Sequence, residues 1–110
     1  MAYDEELAGA IREVLADADA VTEKRMFGGL AFLVGGHMAV AASGQGGLMV
    51  RCTPEETETL IGRPHAHPCV MRGRELVGWL RVDPGGVADI DDLRAWVDVG
   101  VAYARSLPAT

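Results

Sequence analysis

Four potential metal ligands lie close together in the sequence: Cys52, His65, His67 and Cys69. In an extended segment alternate side chains point to the same side, so His65, His67 and Cys69 could converge. Cys52, at the end of an expected neighbouring strand, would complete a Cys₂His₂ set, which suits tetrahedral zinc. The alternative is two loop histidines and two small apolar thiols, because the spacing is not that of a zinc finger and Pro68 interrupts the alternation. Zinc is the one cofactor that the sequence suggests, and otherwise we expect none.

The same cysteines could act as thiol nucleophiles if a histidine took up the thiol proton. The pairs available for this chemistry are Cys69 with His65 and Cys52 with His37. Nothing in the spacing fixes the geometry of either pair, so no residue is assigned a catalytic role. A thiol-dependent enzyme therefore stays an alternative to a protein without enzymatic activity.

Two glycine pairs interrupt the apolar stretch "KRMFGGLAFLVGGHMAVAAS", which begins at Lys24. Glycines that cradle a phosphate are followed by a helix whose amide groups face the anion. Here strand-forming residues follow both pairs instead. The sequence therefore predicts that Gly28-Gly29 forms a bulge or bend in one long strand, with a positive φ at Gly28, and that Gly35-Gly36 forms a hairpin turn.

Three arginines, Arg25, Arg51 and Arg81, fall on expected strands. On one face of a sheet they would form a patch for an anion or a protein partner, and on different faces they would be ordinary solvent-exposed residues. The span from Lys24 to Arg81 has seven basic and four acidic residues, although the whole chain has a formal charge of −6. Because non-specific binding to nucleic acid depends on many phosphate contacts, direct nucleic-acid binding is not expected of so acidic a chain.

Length and composition indicate one cytoplasmic domain, residues 1–110. A chain of 110 residues has room for one core, and a hydrophobic content of 49% is enough to build it. No apolar run approaches the roughly 20 residues that span a bilayer, so we expect no membrane association. The chain begins with acidic residues rather than with a signal peptide, and two cysteines in such a chain suggest reduced thiols in a cytoplasm.

The elements that must position these residues occur in the order helix, three strands, helix, two strands, helix. Apolar residues at helical spacing predict a helix over Asp4–Asp17 and another that begins after Asp89. Residues 53–56, "TPEE", have the pattern of a capping box with proline at the first helical position. An irregular link is expected over Pro64–Pro68. Because the strands are grouped, we expect an α+β domain, α-β3-α-β2-α, with a mostly antiparallel five-stranded sheet.

Three blocks of the sequence resemble a known family. The run "VTEKRMFGGLAFLVGGHMAV" resembles the signature of the TfoX N-terminal domain family, and its most specific part is Arg25-Met26-Phe27-Gly28-Gly29. The segments "GWLRVDP" at Gly78–Pro84 and "LRAWVDVGVAYARSLP" at Leu93–Pro108 are similar to later blocks of that family. The likeness covers nearly the whole chain, whereas the cluster of cysteines and histidines is not part of it.

The resemblance implies an α+β fold similar to secretion chaperones and brings no established catalytic residues. Full-length TfoX proteins regulate natural competence in bacteria as transcriptional co-activators and carry a second, C-terminal helical domain. We expect a stand-alone TfoX-like domain without that second domain. The resemblance therefore implies a small cytoplasmic domain without enzymatic activity, which acts through protein contacts as a regulator of competence or transcription.

A homodimer is expected from the balance between strands and helices. A five-stranded sheet has two edges, and three helices cannot easily cover both of its faces. Phe27, Phe32 and Trp79 lie on strands whose second face is not assigned to a helix. Burial of that surface against a second copy would give a two-fold dimer, the commonest oligomer. The sequence does not indicate any other protein partner by its chemistry.

Overall fold

The computed structural model describes residues 3–26 and 28–108. The helices and strands follow one another as α1 (Glu5–Val14), β1 (Val21–Met26), β2 (Gly29–Val34), β3 (His37–Ala42), β4 (Leu48–Arg51), α2 (Pro54–Leu60), β5 (Ala66–Met71), β6 (Arg74–Val82) and α3 (Ile90–Ser106). A short 3-10 turn over Pro84–Gly86 precedes α3. None of the described helices is long and apolar enough to cross a membrane. The fold is therefore α+β, as predicted.

The six strands form one antiparallel sheet in the order β1-β2-β3-β4-β6-β5. The prediction of five strands is wrong because the expected long strand folds back on itself. Met26 at the end of β1 pairs with Gly29 at the start of β2, so the chain reverses between them. Gly28 has the expected positive φ, 75°, a conformation that strains most residues with a Cβ atom. Phe27 lies outside the described residues.

Local capping signals fix the starts of two helices. The Thr53 hydroxyl accepts a hydrogen bond from the Glu56 amide at 3.2 Å, and the Glu56 carboxylate accepts one from the Thr53 amide at 3.2 Å. This confirms the predicted capping box of α2. The Asp89 carboxylate accepts the Asp91 amide at 2.8 Å where α3 begins. Both helices therefore begin where their side chains satisfy otherwise unpaired amides.

The two glycines between β2 and β3 form the predicted hairpin turn. Gly35 and Gly36 have φ values of 61° and 87°, and the preferred two-residue hairpin turn requires positive φ at both positions. The segment Pro64–Pro68, in contrast, is not the expected irregular link, because β5 already begins at Ala66. Pro68 is tolerated in β5 because this strand lies at the edge of the sheet, where one amide can be missing.

All three helices pack against one face of the sheet, which we call the helix face. Its core combines buried residues of every helix with strand residues that point towards them. The largest fully buried side chains are Phe32, Ile11, Leu48, Leu80 and Leu93. Helix α3 approaches β3 so closely that a Cβ atom on Gly100 would clash with the carbonyl oxygen of Ala39. The sequence does not assign a covering helix to Phe32, but in the structure Phe32 is part of the main core.

Candidate functional site: an open sheet face

The opposite face of the sheet has a second apolar cluster, which contains strand residues of the described chain and none from its helices. Its buried members are Ala31, Ala41, Met49 and Cys69, and the half-buried side chains around them are Met26, Leu33, Met38, Leu76 and Trp79. We call the surface formed by these nine residues the open face. The side chains large enough to anchor a partner are only partly covered by the chain itself.

A bulge in β6 places two of the largest side chains on the open face. Gly78 has a φ of 89°, and its amide donates to the Thr57 hydroxyl at 3.0 Å. Its carbonyl accepts the Cys52 amide at 2.9 Å, which holds the bulge against the end of β4. A bulge adds one residue to its strand, so the side chains that follow it point to the side opposite to the one that strict alternation would give them. Leu76 and Trp79 therefore lie on the same face although they are three positions apart.

The end of the motif Arg25–Gly29 borders a small cleft in the open face. The cleft is lined by Met26, Gly29, Met38, Ala41, Ala42, Ser43, Gly44 and Met49. A Cβ atom on Gly29 would clash with the carbonyl oxygen of Ala42, so the close approach of β2 to β3 requires glycine at this position. Unbranched methionine side chains adapt to irregular apolar partners. The motif thus shapes a cleft with an adjustable apolar wall.

The three arginines of the possible patch do not share one face. Arg51 and Arg81 pair with Trp79 and Met49 of the open face. Directly paired residues of neighbouring strands point to the same side, so both arginines occupy open-face positions. Arg25 pairs with Leu30 of the main core and therefore occupies the helix face of β1. The patch is reduced to Arg51 and Arg81.

The two remaining arginines are held by uncharged groups. The Arg51 guanidinium lies 4.9 Å from the ring centroid of Trp79 and 5.1 Å from that of Tyr103 on α3. Arg81 donates to the carbonyl oxygen of Gly46 at 3.0 Å. In the part of the chain that the structure describes, neither arginine forms an ion pair with a carboxylate. Both positive charges are therefore fixed in position and available to an anionic group.

The structure does not bring the four candidate zinc ligands together. Cys52 belongs to the core of the helix face and Cys69 to the cluster of the open face, so the sheet separates the two thiols. The His67 ring lies 2.7 Å from the Asp83 carboxylate, and His65 has a positive φ of 67° in the turn before β5. Residues 3–26 and 28–108 include no group of three or more His, Cys, Asp or Glu side chains that could hold a metal ion.

Both thiols are buried in surroundings that favour their neutral form. Burial raises the pKa of the Cys52 thiol, although its hydrogen bond with Thr57 acts in the opposite direction. Burial also raises the pKa of the Cys69 thiol. The His37 ring contacts the carbonyl oxygen of Pro108, and among the described residues no histidine is hydrogen-bonded to either thiol. Because the thiolate is the nucleophile, this arrangement gives little support to thiol chemistry.

The model of the TfoX N-terminal domain matches residues 13–104, a range that includes all six strands. The chain belongs to the TfoX N-terminal domain family. Comparison with curated proteins and with solved structures gives no match. The similarity of this TfoX-like domain to secretion chaperones therefore stays a prediction. The matched range contains every residue of the open face.

The sequence patterns did not single out most of the open face of the TfoX-like domain. Leu33 and Met38 lie in the run that resembles the family signature but outside its most specific part, and Met49 lies outside the run. All three look like ordinary core residues in the sequence. The one available signal was alternation in β4, where Met49 lies between Leu48 and Val50 of the main core. Alternation shows that such a residue points away from the helices, but not that the face it occupies lacks a covering layer.

Proposed function

We propose that this TfoX-like domain has no enzymatic activity and acts in the cytoplasm through protein contacts made by its open face. The observation that carries the proposal is a continuous set of large apolar side chains, partly exposed on a sheet face whose apolar cluster includes no residue of the described helices. A continuous apolar patch with a polar rim is typical of a protein interaction site. The two buried thiols with raised pKa support the absence of thiol-dependent catalysis.

The family supports a regulatory role for these contacts. TfoX proteins, as the resemblance implies, regulate competence and transcription in bacteria. We propose that this domain contributes to such regulation by binding another protein rather than DNA. The formal charge of −6 supports this choice, because non-specific DNA binding needs many contacts between basic side chains and phosphates.

A matched pair of substitutions tests the proposal. Leu33 is a half-buried residue of the open face, whereas Val77 is 68% exposed and alternates with Leu76 onto the other face. We expect the wild-type chain and Val77→Glu to capture the same protein from a native lysate, and Leu33→Glu to lose it. Circular dichroism melting shows whether both variants are folded. Equal capture by both folded variants would contradict a role for the open face.

We also propose that two copies associate through the sheet. The end strands β1 and β5 each have one outer edge to which no described strand pairs, and such edges are available for pairing with another chain. Light scattering at micromolar concentration should then give twice the chain mass of 11.7 kDa. A monomer that persists at high concentration would show that the homodimer is wrong and would leave the contacts of the open face unaffected.

A further inference from the structure

Four of the five lysines and arginines on the strands lie at open-face positions, whereas both strand carboxylates lie on the other face. Pairing and alternation place four basic residues at open-face positions of their strands: Lys24, Arg51, Arg74 and Arg81. Lys24 pairs with Ala31, and Arg74 alternates with Leu76, which are both members of the open face. Lys24 and Arg74 are exposed to solvent.

The acidic strand residues take the opposite side. Glu23 pairs with Phe32 of the main core, and its carboxylate accepts a hydrogen bond from the Arg12 guanidinium of α1 at 2.7 Å. Glu75 lies between two open-face positions of β6 and therefore points to the helix face. Asp83, directly after β6, is the exception, because alternation places it on the same side as Arg81, but its carboxylate is already bound to the His67 ring at 2.7 Å.

This distribution differs from that of the molecule as a whole. The chain has 16 acidic and 10 basic residues, and yet the strand positions of the open face are occupied by four basic residues and no acidic ones. A surface whose charge is opposite to that of the rest of the protein favours a partner with the complementary sign. The charge of the open face therefore selects an acidic partner.

The spacing of the charges fits one helix. Lys24 on β1 and Arg81 on β6 are separated by four strand spacings, which is roughly 19 Å at about 4.8 Å each. An α-helix with its side chains has a diameter of about 10–12 Å. The cleft walled by Met26, Met38 and Met49 lies between these two strands. A helix placed over the cleft would thus have cationic side chains on both sides.

We propose that the open face binds an acidic amphipathic helix of a partner protein, an inference that rests on the proposed function of this face in protein contacts. Apolar side chains at positions i, i+3, i+4 and i+7 of the helix pack on the open face over the cleft walled by Met26, Met38 and Met49. Aspartate and glutamate at its flanks meet Lys24 on one side and Arg74 and Arg81 on the other. The methionines adjust to the shape of the apolar side chains.

Two other occupants fit the charges less well. A second copy that used the same face would bring four basic residues of each chain towards four of the other, and like charges oppose such a pairing. Single-stranded nucleic acid needs exposed aromatic rings on which bases stack. Trp79 is the aromatic residue of the described open face, and the Arg51 guanidinium already lies over its ring. The methionine side chains of the cleft have no charged or hydrogen-donating group that could bind phosphates or sugars.

Binding of synthetic peptides to the full chain tests the inference. One fluorescein-labelled peptide is a helix of about five turns with leucine at i, i+3, i+4 and i+7 and glutamate at its flanks, and a second has lysine at every glutamate position. Fluorescence anisotropy measures the affinity of each peptide at low salt. We expect the acidic peptide to bind at least tenfold more tightly than the basic one, and this preference to decrease at high salt.

Neighbouring residues of β1 provide a matched control. Lys24 and Arg25 are both exposed but occupy opposite faces. We expect Lys24→Glu and Arg74→Glu each to lower the affinity for the acidic peptide about three- to tenfold, which corresponds to one or two lost charge contacts. Arg25→Glu should leave this affinity unchanged. An equal effect of Lys24→Glu and Arg25→Glu would show that general charge rather than the open face attracts the peptide.

The remaining outcomes separate this inference from the proposed function. If both peptides bind equally and Leu33→Glu abolishes binding of both, the open face makes protein contacts but the acidic partner is wrong. If neither peptide binds, the acidic helix is wrong, and the lysate experiment decides the function of the face independently. If an oligothymidylate displaces the acidic peptide at micromolar concentration, the face binds nucleic acid, and both proposals fail.

Discussion

The adjacent glycines of the family motif should be required for different physical reasons. Gly28 has a φ of 75°, and a Cβ atom there would meet only open space, so Gly28→Ala incurs only the backbone strain of a left-handed conformation, about 1 kcal/mol. At Gly29 a Cβ atom would clash with the carbonyl oxygen of Ala42 and lie 3.1 Å from the Gly44 amide. Because β2 must then move away from β3, Gly29→Ala should cost roughly 3 kcal/mol.

Urea unfolding followed by circular dichroism measures both costs. At about 4 °C or more per kcal/mol for a domain of this size, thermal melting should show a decrease of roughly 4 °C for Gly28→Ala and 12 °C for Gly29→Ala. Gly28→Asn should have a melting temperature close to that of the wild type, since asparagine tolerates the left-handed region. Gly9→Ala is the matched control, because this helical glycine has no neighbour that a Cβ would contact. It should stabilise the chain by about 0.5–1 kcal/mol.

The contrast between the two glycines is the decisive result. If Gly29→Ala were no more destabilising than Gly28→Ala, the close approach of β2 to the end of β3 would not exist as described. If Gly28→Asn were as destabilising as Gly28→Ala, the positive φ would not be the reason for glycine at that position. Either result would refute the account of how the motif shapes the cleft.

Three further predictions concern individual side chains. Because burial raises the pKa of Cys52 and Cys69, alkylation by iodoacetamide should be slow at pH 7 and accelerate only above the ordinary thiol pKa; rapid modification at pH 7 would contradict this burial. A chelator should leave the melting temperature unchanged, whereas stoichiometric zinc that disappears in Cys69→Ser would establish a metal site. The hydrogen bond from Arg12 lowers the pKa of Glu23. The ionised Glu23 carboxylate therefore stabilises the fold at pH 7, and this stabilisation is lost as the pH falls below 4.5. Glu23→Gln should therefore melt below the wild type at pH 7, and the difference should vanish in acid.

Features that depend on neighbouring residues could be predicted from the sequence. The capping box of α2 needs only Thr53 and Glu56, and both hydrogen bonds form as expected. The hairpin at Gly35-Gly36 likewise follows from local backbone preference. The sequence predicts a bulge where the structure has the turn that includes Gly28, because a glycine with positive φ serves equally in a bulge and in a turn.

Features that depend on the pairing of distant strands could not be predicted. Arg25, Arg51 and Arg81 all lie on strands, but only the register decides which face each one occupies. The separation of Cys52 from Cys69 has the same origin, since the four candidate ligands are close in sequence and their strands turn them to opposite faces. The open face itself follows from the packing of all three helices on one side, which no local pattern specifies.

The position of β6 between β4 and β5 has a consequence for the order of folding. Strands β1 to β4 form a meander joined by short turns, and hairpins of this kind form in about 1–10 μs. The pairing of Arg51 with Trp79, in contrast, closes a long loop that contains α2 and β5. Because the entropy of loop closure is lost before such distant contacts form, we expect the hairpin of β5 and β6 to dock onto the meander late. Until then the outer edge of β4 is unpaired, and the nascent chain is open there to strand exchange with a second copy.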